Sequence, residues 1–132
     1  MRVLFVDDNA MNREVVKGML AAADVPMVEA EDAEIGLRLI DTDSFDLILM
    51  DLRMPGMDGL DAIRAIRARG DAKANLPIIV VTADNGRDVR AQSLAAGADD
   101  LLHKPVQMQV LFDTIGRVLT GGRDRETGAM LA

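Results

Sequence analysis

Asp7, Asp8, Asp51, Thr82 and Lys104 are the residues of this chain whose types and spacing could do chemistry together. Each stands at the end of a short apolar run. Val3-Leu4-Phe5-Val6 runs into Asp7-Asp8, and Leu47-Ile48-Leu49-Met50 into Asp51. Ile78-Ile79-Val80-Val81 ends on Thr82, and Leu101-Leu102-His103 on Lys104-Pro105. Runs of this kind read as strands buried on both faces, the habit of a parallel sheet covered by helices. Such sheets place their ligand site beyond the carboxyl ends of the strands, where the strand order reverses. Three carboxylates gathered there repel one another unless protons or a cation intervene. Mg²⁺ commonly sits on one or two carboxylates together with phosphate oxygens and water, so the set predicts a metal and a phosphoryl group together. Lys104 would bring positive charge to a phosphoryl oxygen, Thr82 a hydroxyl donor. The nucleophile would be a carboxylate, giving an aspartyl-phosphate.

The elements that must position these residues alternate along the chain. Strands are expected at about 2–6, 26–30, 45–50, 77–81 and 100–103. Met11, Val15, Met19 and Leu20 recur at helical spacing after Asn9, a plausible N-cap. Ala33, Leu37 and Ile40 mark a second helix, and Leu60, Ile63 and Ile66 a third beyond the turn Met54-Pro55-Gly56-Met57-Asp58-Gly59. The stretch 86–96 makes the weakest helix, with Gly97 as its C-cap. Met108, Leu111, Phe112, Ile115, Val118 and Leu119 trace the strongest. Right-handed crossovers then give an α/β fold: a doubly wound, five-stranded parallel sheet in the order 2-1-3-4-5 with helices on both faces. The expected boundaries are one domain over 1–120 and a flexible tail or linker over 121–132.

Composition limits the alternatives. The 132 residues include nine Met and three Phe but no Trp, Tyr or Cys, so no disulfide, thiolate metal site or cysteine nucleophile exists. The net charge is −7 with basic residues scattered between acids, which argues against direct nucleic-acid binding and against an anionic membrane surface. No apolar run approaches the roughly 20 residues that cross a bilayer. Met1-Arg2 leads straight into the first strand, so the expectation is no signal peptide and a cytoplasmic protein.

The chain closely resembles a receiver domain of bacterial two-component response regulators. The residues that carry the resemblance are Val6-Asp7-Asp8-Asn9, Met50 through Gly59, Thr82-Ala83 and Lys104-Pro105, in that order and each at a strand end. The resemblance implies a flavodoxin-like receiver fold in which Asp51 takes a phosphoryl group from a phosphohistidine on a histidine kinase or histidine phosphotransfer protein. It implies a Mg²⁺ ion on Asp8, Asp7, Asp51 and the backbone carbonyl of Arg53. Lys104 corresponds to the lysine that pairs with the phosphoryl group, Thr82 to the hydroxyl that moves toward it, and Ala83 to the small residue beside it. The Lys104-Pro105 bond is expected to be cis, and the chain a monomer or weak dimer. The stretch Asp7 to Arg13 looks like receivers of hybrid histidine kinases; a free-standing response regulator is the other context.

One position departs from the family. Leu101 stands three residues before Lys104, where a Tyr or Phe ring is usual. A leucine offers less surface to carry a Thr82 movement onward, so shifts on binding beryllofluoride should concentrate near Thr82 and stay small around Leu101 and Val89. Arg53 and Asp84 each lie two residues past a site residue, and an ion pair between them would flank the mouth and hinder the attacking water. His103 is expected to be structural, and Asp99 and Asp100 solvated. Met11 and Val15 either pack in the core or form a docking face for a histidine-bearing helix. A small-molecule phosphohydrolase with an aspartyl-phosphate is disfavoured: the chain has no room for a cap domain, and Arg53 stands where its acid-base carboxylate belongs. A nucleotide-binding domain is disfavoured because no glycine-rich loop follows the first strand.

Overall fold

The computed structural model describes residues 1–121 in full and the backbone course of 122–131. The tail or linker expected over 121–132 lies, apart from residue 121, outside the fully described residues. The element order is β1 (Val3–Val6), α1 (Ala10–Ala21), β2 (Met27–Ala30), α2 (Ala33–Thr42), β3 (Leu47–Met50), α3 (Gly59–Arg67), β4 (Ile78–Thr82), α4 (Val89–Ala96), β5 (Asp100–His103) and α5 (Met108–Leu131). A single 3₁₀ turn, Ala72–Asn75, interrupts the polar connection after α3. All strand pairs are parallel and the order is β2-β1-β3-β4-β5.

Why the strands carry unbroken apolar runs is now visible. Successive side chains point to opposite faces of a sheet. Leu4, Val6, Ile48, Met50, Ile78, Val80 and Leu101 pack with α2, α3 and α4. Their neighbours Val3, Phe5, Leu47, Leu49, Ile79, Val81 and Leu102 pack with α1 and α5. Two apolar layers therefore clamp the sheet and leave only its edges and rims to polar groups.

The helices begin where the strand rim needs them. Asn9 accepts from the Met11 and Asn12 amides, Asp32 from Ile35 and Asp58 from Asp61. Gly97 closes α4 in the left-handed region at φ 119°, as its position after the last apolar residue predicts. Helix α1 turns differently from the expected inner stripe. Val16 and Leu20 are buried, whereas Met11 is 74% and Val15 47% exposed. The acids expected to be solvated are not. Asp100 is buried, with its two oxygens 3.1 Å from Arg90 and 3.0 Å from Arg117. Asp99 pairs with Arg67 at 3.1 Å and accepts from the Ile78 amide. Burial would raise the Asp100 pKa, but the Leu101 amide and the guanidinium groups of Arg117 and Arg90 outweigh it and hold the acid below the usual carboxylate range.

Candidate phosphoryl-acceptor centre

β1 and β3 are hydrogen-bonded neighbours, with Val6 beside Met50, so the residues that follow them leave the sheet side by side. The Asp51 amide still donates to the Val6 carbonyl at 2.9 Å, which ties the two strand ends together just below the site. One oxygen from each of Asp7, Asp8 and Asp51 then falls within 4.8 Å of the others. Asp7 and Asp51 are buried, and Asp8 is exposed.

Lys104 enters from β5. Its amide donates to the Thr82 carbonyl at 2.8 Å, extending the β4–β5 pairing by one step. Its Nζ lies 2.9 Å from Asp7 Oδ2 and 3.4 Å from Asp51 Oδ2. The following Lys104-Pro105 bond is cis, as expected. Thr82 is fully buried at the end of β4, and its Oγ1 accepts from the Asp84 amide at 3.0 Å. Ala83 is exposed on the loop that follows.

The electrostatics follow from this crowding. Burial, then the neighbouring Asp7, raises the Asp51 pKa from 3.8 to about 6, against the opposing pull of Lys104. Oδ2 of Asp7 is a buried oxygen with no aligned hydrogen-bond donor, although the Lys104 charge is near. An orphaned anionic oxygen beside two further carboxylates is the donor set that a hard divalent cation completes. The residues present fit Mg²⁺.

At the mouth, Arg53 Nη2 donates to Asp84 Oδ2, so the ion pair expected from their spacing is formed. The Arg53 hydrogen bond, with its charge, lowers the Asp84 pKa. A cavity of about 470 Å³ lies on this side, lined by Leu52, Met54, Leu60, Val89 and Gln92 among others. Leu101 is buried in the cluster that holds Val89 and Ala96. His103 is exposed and outside the acidic cluster.

Two contributors carried no expectation. Gly59 opens α3 against the backbone of the site, where a Cβ would sit 2.1 Å from the Asp51 carbonyl oxygen. Arg13, one turn into α1, donates from Nη1 to the Asp7 carbonyl at 2.6 Å. Gly59 was legible as the last residue of the turn after β3; nothing in the spacing singles out Arg13.

The family model for the response regulator receiver domain matches residues 3–116. This chain is a response regulator receiver domain. The receiver is 34% identical over 119 residues to the chemotaxis protein CheY of Pseudomonas aeruginosa, covering 89% of this chain and 95% of that one. It is 38% identical over 117 residues to the sensor protein GacS of Pseudomonas syringae, covering 86% of this chain but 13% of that protein. Among solved structures it is similar to the receiver domain of sensor histidine kinase PA1611 from P. aeruginosa PAO1. That match has TM-score 0.82 and 33% identity, and covers 90% of this chain and 97% of the other. The PA1611 receiver carries a magnesium ion coordinated in its active-site cleft. The receiver is thus a module of two-component signalling, found both as a whole protein and as a part of hybrid kinases. No helix among the described residues is long and apolar enough to cross a membrane.

Proposed function

We propose that Asp51 is the phosphoacceptor of this receiver, taking its phosphoryl group from a phosphohistidine of a histidine kinase or phosphotransfer protein. The observation that carries the assignment is the Asp51 carboxylate, buried at the strand rim with Lys104 Nζ 3.4 Å away and two further acids beside it. An Asp51 oxygen would attack phosphorus as the N–P bond to the donor imidazole breaks, and the imidazole leaves with that electron pair. Asp7, Asp8, Asp51 and the Arg53 carbonyl would hold Mg²⁺, which supplies charge neutralisation for the transferring group. Lys104 supplies the remaining fixed positive charge. Thr82 hands its hydroxyl from the Asp84 amide to a phosphoryl oxygen, and Leu101 limits how far that movement spreads. Positioning and charge neutralisation of this kind are what phosphoryl transfer needs from a protein.

Met11 and Val15, exposed on α1 beside the acidic rim, give an apolar surface on which the donor helix would dock. The stretch Asp7 to Arg13 and the likeness to GacS support the receiver of a hybrid kinase; the likeness to CheY supports a free-standing regulator. A cytoplasmic location belongs to both. The deciding experiment incubates the protein and an Asp51→Asn variant with phosphohistidine donors and MgCl₂, and weighs the products. One added phosphoryl group on wild type alone supports the assignment. Equal labelling of both proteins, or none of either under excess donor, overturns it.

A further inference from the structure

Asp7 is held at nearly every polar atom. Its amide donates to the Ala30 carbonyl at 3.0 Å, and its Oδ1 accepts from the Asn9 amide at 2.8 Å. Its carbonyl accepts from Arg13 Nη1 at 2.6 Å. Oδ2 alone lacks an aligned donor, and that oxygen lies 2.9 Å from Lys104 Nζ.

The carbonyl lies just past β1, where β2 has also ended at Ala30, so no further amide of the ladder reaches it. A carbonyl withdrawn from water and left without a donor is destabilising. Here the donor is a guanidinium that is itself anchored. Arg13 Nε donates to Glu29 Oε1 on β2 at 3.1 Å, and Lys17 Nζ lies 3.2 Å from the other Glu29 oxygen. The Arg13 side chain is only 13% exposed, on a helix whose neighbouring Met11 and Val15 face outward. Its planar fork joins a fixed carboxylate to a fixed carbonyl, a bridge that a single ammonium cannot make at both ends.

The consequence falls on Asp8. Among the described residues no hydrogen bond or ion pair holds its carboxylate. The backbone alone sets where its side chain leaves the chain, and the oxygen of the Asp7–Asp8 peptide is the atom Arg13 grips. We propose that Arg13 is the positioning residue of the acidic centre: clamped between Glu29 and the Asp7 carbonyl, it fixes the peptide from which both carboxylates project. The proposal rests on the reading of that centre as a Mg²⁺ site.

A sign separates positioning from simple charge. The guanidinium is a cation on the same rim, so its removal should tighten Mg²⁺ binding if Coulomb repulsion were its only effect. Positioning predicts the reverse. The test is a MgCl₂ titration of the ¹⁵N-labelled protein followed by amide chemical shifts, on wild type, Arg13→Met and Arg13→Lys. Loss of an outer partner of a metal ligand typically weakens metal binding ten- to a hundredfold, so Arg13→Met, which acts through the backbone, should weaken Mg²⁺ by about tenfold, the lower end of that range. Arg13→Lys keeps the charge and loses the fork, and should weaken binding in the same direction. Wild-type affinity or tighter in Arg13→Met overturns the proposal. Should Arg13→Met fail to fold, judged by circular dichroism without metal, Arg13→Lys decides alone, and wild-type affinity there overturns it. If wild type itself shows no saturable response to MgCl₂, the metal-site reading fails rather than the role of Arg13.

Discussion

A carboxyl group that is 3% exposed and faces a second acid holds its proton more tightly in the folded protein than in the unfolded chain. For Asp51 the folded value is about 6 against an ordinary 3.8. Between those two pH values the folded state binds the extra proton, so the free energy of unfolding falls as pH rises through the window and levels off above it. At pH 8 the ionised Asp51 therefore costs the metal-free fold stability, on the order of 1–3 kcal/mol. Asp51→Asn should raise the melting temperature at pH 8 in EDTA and leave it nearly unchanged at pH 4. Thermal melts across that range check the sign; a variant less stable than wild type at pH 8 would contradict the crowding argument. Arg53 and Asp84 pose the other question at this scale. Their ion pair is formed by an arginine whose side chain is 78% exposed. Exposed pairs are weak, so Arg53→Ala should shorten the aspartyl-phosphate lifetime by no more than about two- to fivefold. An unchanged hydrolysis rate, followed by loss of phosphoprotein with time, would remove the gate.

Elements bring the residues together, and the tightest junction is the start of α3. The missing side chain of Gly59 lets that helix close on the backbone of Asp51 and Leu52, with a Cβ due 2.1 Å from one and 2.8 Å from the other. Neither neighbour is a flexible side chain, so the backbone itself must give. Gly59→Ala should cost about 2 kcal/mol or more, toward the upper end for forced overpacking, and lower phosphoryl acceptance with it. Urea midpoints and labelling by a donor measure both; a loss of stability with full acceptance would detach α3 from the site. The strand ends that converge here were legible because a run buried on both faces is apolar throughout, and the polar residue that stops it marks the rim. Helix α1 was less so. Met11, Val15 and Met19 make one helical stripe and Val16 and Leu20 another beside it, and periodicity alone does not choose between them. The Asn9 cap and packing on the sheet turn the second inward. Asp99 and Asp100 were misread because their partners, Arg67, Arg90 and Arg117, come from three different helices with no local spacing to announce them. Arg13 escaped for the same reason, since its target is a backbone carbonyl.

Taken whole, the molecule spends two apolar layers to hold a rim of like charges together, and a divalent cation binding only the folded arrangement must add to stability. The gain is RT ln(1 + [Mg²⁺]/Kd), about 1.4 kcal/mol at ten times Kd. Protons compete for the same oxygens. With Asp51 titrating near 6, a large part of the population carries a proton there at pH 5 and very little at pH 8. Saturating MgCl₂ should therefore raise the melting temperature more at pH 8 than at pH 5, and more in wild type than in Asp51→Asn at either pH. Ionic strength matched with NaCl separates site binding from screening of the net charge of −7. Screening would lift both proteins alike and depend little on pH in this range. A gain that NaCl reproduces, or one equal at the two pH values, would mean that the acids at the rim do not share a cation.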